Sequence, residues 1–282
     1  TGPGGDGAGA APTSRAEEVP GGLQVAQDGY RLVPLTTSLT TGGTTRFAFR
    51  VIGPDNRVVT DYTPTHERDL HLIVVRRDLS GFQHLHPEMA GDGTWRTPVQ
   101  IEAAGQYRIL ADFQPAARAE PVTLGVDIPA PGSYQPRPLP AVARTAVVDG
   151  YAVTLAGDLV PGTESTLTLS VSRDGRPVTD LQPYLGAYGH LVAVRDGDLA
   201  YLHVHPQGAP GDGHTSAGPD ITFHTRVPSA GAYRLFLDFQ HAGTVRTAEF
   251  TAYAGAVATE PPGSASPRPS PPAGHDSGHA HD

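Results

Sequence analysis

The sequence contains no cysteine and no lysine, and only one methionine and one tryptophan. Without cysteine there is no disulfide, no thiolate zinc site, no blue-copper centre and no iron–sulfur cluster. A single methionine, Met89, rules out a methionine-rich Cu(I) site. All 20 basic residues are arginine, against 29 acidic ones. The net charge of −9 excludes a nucleic-acid binder, because phosphate requires a basic face. With abundant Ala, Gly and Pro, the arginine bias fits a GC-rich coding genome and says nothing about the fold. No run of about twenty apolar residues is present, so no transmembrane segment is expected in this chain.

Glycine (34) and proline (28) are plentiful. Together they predict many turns, few long helices and flexible tails. The 282 residues suffice for two modest domains, and an internal repeat supplies them. "DGYRLVPL" from Asp28 is echoed by "DGYAVTLAGDL" from Asp149, and "AAGQYRILADFQ" by "SAGAYRLFLDFQ". The expected organisation is a disordered spacer over 1–22, a first repeat over 23–130 and a Pro-rich linker over 131–141. A second repeat over 142–254 and a disordered His-rich tail over 255–282 follow. The spacer reads as the kind of segment that follows a removed signal or anchor.

Within each repeat the period is that of strands. "FAFRV", "LTLSV", "YRILADF" and "YRLFLDF" alternate apolar and polar residues, with "GPDN", "RDGR" and "RDGD" between them as turns. The phrase Ala-Gly-x-Tyr places Tyr107 and Tyr233 where immunoglobulin-like sandwiches carry a tyrosine corner. The predicted fold is all-β, two tandem immunoglobulin-like (cupredoxin/CopC-like) sandwiches.

The two copies also share a histidine pattern: "DLHLIVVRRDLSGFQHLHP" and "GHLVAVRDGDLAYLHVHP". Asp196-Gly197 signals a two-residue type I′ turn, which sets His190 opposite His203 with His205 diagonal to it. In the first copy a four-residue loop over 78–81 sets His71 opposite Glu88 and diagonal to His86. In either register His71, His84 and His86 share a face, as do His190, His203 and His205. Opposed Cβ atoms lie about 4.5–5.5 Å apart, near enough for three imidazoles to meet one ion. Both faces of these strands are apolar, so the pattern does not say which is inside. A lone histidine on a strand usually serves structure; three on one face, twice, point to a metal.

Weaker candidate ligands are His66, His224 and His241, and Asp112 and Asp238 in the recurring "DFQ" as ligands or as carboxylates that orient an imidazole. His275, His279 and His281 in the tail form a loose His/Asp chelator. No nucleophile–base arrangement, phosphate loop or catalytic residue is visible. "HLHPE" opens like a cupin metal motif, but the later Glu and Gly spacing is absent.

The phrases "HLIVVRRDL…QHLHP" and "LQPYLGAYGHLVAVRDGDLAYLHVHP" resemble a family of actinobacterial exported or membrane-anchored proteins of unknown function, over about residues 28–252. More distantly, each repeat is similar to YtkA/FixH-like and CopC-like sandwiches. That resemblance implies an extracytoplasmic setting and copper handling, with a membrane metal transporter or an oxidase-assembly protein as partner. The CopC-type ligand scheme uses an N-terminal histidine; this chain begins with Thr1 and has no histidine before His66, so the scheme does not transfer. The expected function is binding of a divalent transition metal, copper (Cu2+) first and zinc second, for buffering, delivery or resistance. The alternative is a non-catalytic cell-envelope interaction module with structural histidines.

Overall fold

The computed structural model describes residues 19–256 except His203. His203, the three tail histidines and most of the two expected flexible tails lie outside the described residues. Among the described residues there is no helix, and therefore none long and apolar enough to cross a membrane.

Each repeat is a β-sandwich. In repeat 1 one sheet runs β1 (Ala26–Gln27), β2 (Tyr30–Pro34), β3 (Gly43–Ile52), β8 (Trp95–Ile101), β7 (Glu88–Met89). The other runs β10 (Val122–Ala130), β9 (Gly105–Pro115), β5 (Leu70–Arg76), β6 (Gln83–Leu85), with β4 (Tyr62–Thr63) also paired to β9. Repeat 2 follows the same plan. One sheet is β11 (Thr145–Val148), β12 (Tyr151–Ala156), β13 (Glu164–Arg173), β18 (Asp220–Arg226), β17 (Val204–Pro206), with β14 (Arg176–Pro177) paired to β13. The other is β16 (Tyr201–Leu202), β15 (His190–Arg195), β19 (Gly231–His241), β20 (Thr244–Ala254).

The alternation in β3 places Phe47, Phe49 and Val51 inside, against Leu72 and Val74 of β5 and Ile109, Ala111 and Phe113 of β9. Repeat 2 does the same with Leu167, Leu169 and Val171 against Leu191, Ala193, Leu235, Leu237 and Phe239. The predicted tyrosine corners are formed: Tyr107 donates to the Ala103 carbonyl at 2.6 Å and Tyr233 to that of Ser229 at 2.9 Å.

A third core lies between the repeats. Ile73, Val75, Leu79 and Leu110 meet Val192, Val194, Leu199 and Phe236, and Phe82 stacks on Phe236 with ring centroids 3.9 Å apart. The β5 and β15 sheets therefore face each other, and every residue of β5 is buried. This explains why both faces of the histidine strands are apolar: one fills its own sandwich, the other the seam.

Two connections fasten the seam. The segment before β1 crosses it, with Tyr201 N–H donating to the Gly21 carbonyl and Gly22 N–H to that of Thr123. Gly125 lets this segment pass, since a Cβ there would stand 2.0 Å from the Gly22 oxygen. The linker, which carries no strand over 131–144, is pinned to repeat 1. Arg76 donates to the Gln135 carbonyl and lies 4.7 Å from the Tyr134 ring centre, and Arg137 N–H donates to Asp78.

The hairpin registers differ from both expectations. In repeat 2, Val194 faces Tyr201 and Ala193 faces Leu202, so the loop is the four residues 196–199 rather than Asp196-Gly197 alone. Arg195 and the Asp198 carboxylate form two bonds across this loop. Leu199 takes a left-handed conformation (φ 59°) and buries its side chain in the seam. Burial and an ion pair override the Asp-Gly turn preference. In repeat 1, Ile73 faces His84 and Leu72 faces Leu85; continuing that ladder by one pair sets His71 opposite His86, not Glu88. Each shift is by two residues, so the facing of the side chains is preserved.

Candidate metal centre

The histidines collect where the two strand pairs meet at one end of the seam. His71, second in β5, and His190, first in β15, lie opposite Asp112 and Asp238 on β9 and β19. Before each strand a tight turn supplies a carbonyl. His71 Nε2 is 2.8 Å from the Thr65 oxygen, and His190 Nε2 is 2.9 Å from that of Tyr184 and 3.1 Å from that of Leu185. A carbonyl only accepts, so both Nε2 atoms carry the proton and both Nδ1 atoms hold a lone pair in the neutral ring.

His84, on β6, reaches across the seam. Its Nδ1 donates to Asp238 Oδ2 at 2.8 Å, and Asp238 Oδ1 in turn accepts from Thr247. His84 Nε2 then stands 3.1 Å from His71 Nδ1. In neutral rings these are two lone pairs facing each other. A proton shared between the two nitrogens resolves the conflict; so does a cation bound by both. Two nitrogens on one tetrahedral ion, each at about 2.0 Å, stand about 3.3 Å apart.

His86 completes the group. It sits where the chain leaves β6 for β7, its ring centroid 5.1 Å from that of His71 and 4.9 Å from that of His84. Its Nε2 is buried without a hydrogen-bond partner, a state that costs about 1–3 kcal/mol for a polar atom. One nitrogen from each of His71, His84 and His86 lies within 4.8 Å of the others. A pocket of about 650 Å³, lined by Thr44, Arg46, His86, Glu88, Met89 and Arg96, opens beside His86.

Burial holds His71, His86 and His190 neutral. It pushes His71 and His190 down to about 4 and His86 down to about 3, with neighbouring imidazoles adding to the effect. Neutral imidazole is the metal-binding form.

The two carboxylates are used alike, each bonded within its own repeat and across the seam. Asp112 accepts from Thr123 of its own repeat and from the Tyr201 hydroxyl of the other, as Asp238 accepts from Thr247 and His84. Burial and Asp112 hold the Tyr201 phenol well above its ordinary range.

Sequence spacing ranked His66 low, yet the structure places it in the cluster, its ring centroid 5.0 Å from that of His190 and 6.0 Å from that of His71. His66 and Glu67 form a two-residue turn closed by Thr65 and Arg68, both central residues left-handed (φ 48° and 63°). Repeat 2 places Leu185-Gly186 there. Left-handed residues other than glycine cost on the order of 1–3 kcal/mol each and gather at functional sites. The available signal was alignment: His66 precedes His71 by the interval that separates Leu185 from His190.

His205 is a correction. Repeat 2 leaves its sheet earlier than repeat 1, and β17 already pairs with β18, placing His205 opposite His224 on an exposed surface. His205 therefore stands with the opposite sheet and not with His190. His224 bonds Gln207. His241 lies between Tyr151 and Asp180. Neither belongs to the cluster.

One family model, described as a domain of unknown function (DUF8832), matches residues 24–132 and again 146–256, one match per repeat. It gives no support to the YtkA/FixH-like or CopC-like resemblance. No curated protein matches the chain. Among solved structures, the Escherichia coli adhesin FdeC aligns at 20% identity over 85% of this chain and 67% of its own, TM-score 0.26. The Yersinia pseudotuberculosis adhesin InvE aligns at 13% over 79% and 58%, TM-score 0.24. A putative membrane anchored protein from Corynebacterium diphtheriae aligns at 9% over 82% and 60%, TM-score 0.24. Superpositions this loose do not bear on function.

Proposed function

The chain belongs to the DUF8832 family, with one copy in each repeat, and since membership brings no activity with it, we propose from the site itself that the protein binds a divalent transition ion through His71, His84 and His86. The observation that carries this reading is the pair of facing lone pairs on His71 and His84, with the orphaned Nε2 of His86 beside them. Each of the first two rings has its other nitrogen fixed by a carbonyl or a carboxylate, the arrangement by which ligating imidazoles are oriented. All-nitrogen ligation favours Cu(II) or Zn(II). Three protein ligands leave a fourth position, and the pocket at His86 gives an entry path. Buffering, delivery or resistance in an extracytoplasmic compartment is the role we assign, with copper as first ion and zinc as second.

The rival reading is a cell-envelope interaction module with structural histidines. The bonds from His71, His84 and His190 to protein acceptors favour it. It leaves the His86 nitrogen unaccounted for.

The test is Cu(II) and Zn(II) titration of the chain carrying His275→Ser, His279→Ser and His281→Ser, read by native mass spectrometry and calorimetry. Retained metal is expected, lost in the triple variant His71→Ala, His84→Ala, His86→Ala. Asp238→Asn, which removes the charge that orients His84, should weaken affinity about 10–100-fold. No retention at micromolar metal would leave the envelope module as the function.

A further inference from the structure

We propose a second ion position at the His190–His66 end of the cluster, so that the docked repeats hold two divalent transition ions side by side. The proposal rests on the metal reading above and extends it. A tetrahedral ion bound by His71, His84 and His86 has one position left. Two more imidazoles, His190 and His66, stand within the same cluster, and neither belongs to the trio whose nitrogens converge. His190 is prepared as His71 is: its Nε2 is spent on two turn carbonyls, so Nδ1 is its ligating nitrogen. Burial keeps it neutral.

His66 is brought to it by a two-residue left-handed turn, the counterpart of Leu185-Gly186 in repeat 2, where Leu185 is left-handed as well (φ 52°). The His66 ring stands at 86° to that of His190, with centroids 5.0 Å apart. Two carboxylates back the cluster from the neighbouring strands: Asp238, opposite His190 and bonded to His84, and its equivalent Asp112, opposite His71, each bonded to a threonine hydroxyl. Two anionic groups in one buried cluster suit two dications better than one. His203 repeats the sequence position of His84 but lies outside the described residues, and the inference does not depend on it.

The experiment uses the full chain with the three tail histidines replaced by serine and Cu(II) as probe. Native mass spectrometry should show two retained equivalents, and the EPR spectrum of the doubly loaded protein a half-field transition from a coupled pair. His190→Ala should retain one equivalent and abolish the coupling. His66→Asn, which tolerates the left-handed turn, should do the same with the fold intact by circular dichroism. A single equivalent in the parent chain, unchanged by His190→Ala, overturns the proposal and leaves the trio standing. So does loss of all metal in a folded His190→Ala chain, which would mean one shared ion. Two equivalents without coupling, indifferent to both substitutions, also overturn it. No retained metal in any chain instead overturns the metal reading itself.

Discussion

Lowering the pH of the metal-free protein from about 7 to about 4.5 is expected to remove several kcal/mol of stability, most of it before the carboxylates titrate. His71 and His190 are each buried and held down at about 4, and His86 at about 3. In the unfolded chain all three take up a proton near 6.5. Between those values the unfolded state binds more protons than the native state, so stability is full above about 6.5 and falls as pH falls towards 4. Each unit of depression corresponds to about 1.4 kcal/mol per ring, so His71 and His190 contribute at most about 3 kcal/mol apiece. The groups around them work in both directions: the Thr65 and Tyr184 carbonyls and Asp112 favour the charged rings, while His66, His84 and Arg68 oppose them. Urea midpoints measured across this range, with His71→Gln and His190→Gln as controls, should show the slope in the parent and a shallower one in the variants. A flat profile between 6.5 and 4.5 would contradict the buried, neutral assignment. Bound metal should steepen the dependence, because protons and ions compete for the same nitrogens.

Replacing Phe236 by alanine is expected to cost about 3–5 kcal/mol, the range for truncating a fully buried aromatic. Phe236 is 1% exposed and packs in neither sandwich core; it lies between the repeats, flat against Phe82. The loss should therefore fall on docking. Each repeat keeps its own core, so the variant should unfold in two separated transitions. Metal affinity should fall with it, because His84 and the Asp238 that orients it come from opposite sides of the seam. Phe223→Ala, inside the second sandwich, should destabilise that repeat directly. A single transition with undiminished metal binding in Phe236→Ala would show that the seam does not hold the site.

Much of this was legible in the sequence. The repeat, the strand periods and both tyrosine corners follow from pattern, because a sandwich strand with one wet face writes its burial into alternate residues, as β3 does. The histidine strands could not be oriented that way: β5 has no wet face. The Asp196-Gly197 turn misled because its preference amounts to less than an Arg195–Asp198 pair and a buried Leu199. His205 was misplaced because the point at which a strand changes sheets depends on the partner sheet, not on its own residues. His66 was undervalued because its counterpart in repeat 2 is a leucine. The meeting of His190 with the histidines of repeat 1 at one seam is a property of docking, which no local pattern records.

The pinned linker has a further consequence. Joined by so short a tether, the second repeat meets the first as a bivalent ligand meets its own receptor, at an effective concentration on the order of millimolar. A seam too weak to assemble two separate chains can stay closed within one. Cutting the chain between residues 131 and 144 would thus turn the meeting of His84 with the Asp238 that orients it from a first-order property of a molecule into a concentration-dependent encounter.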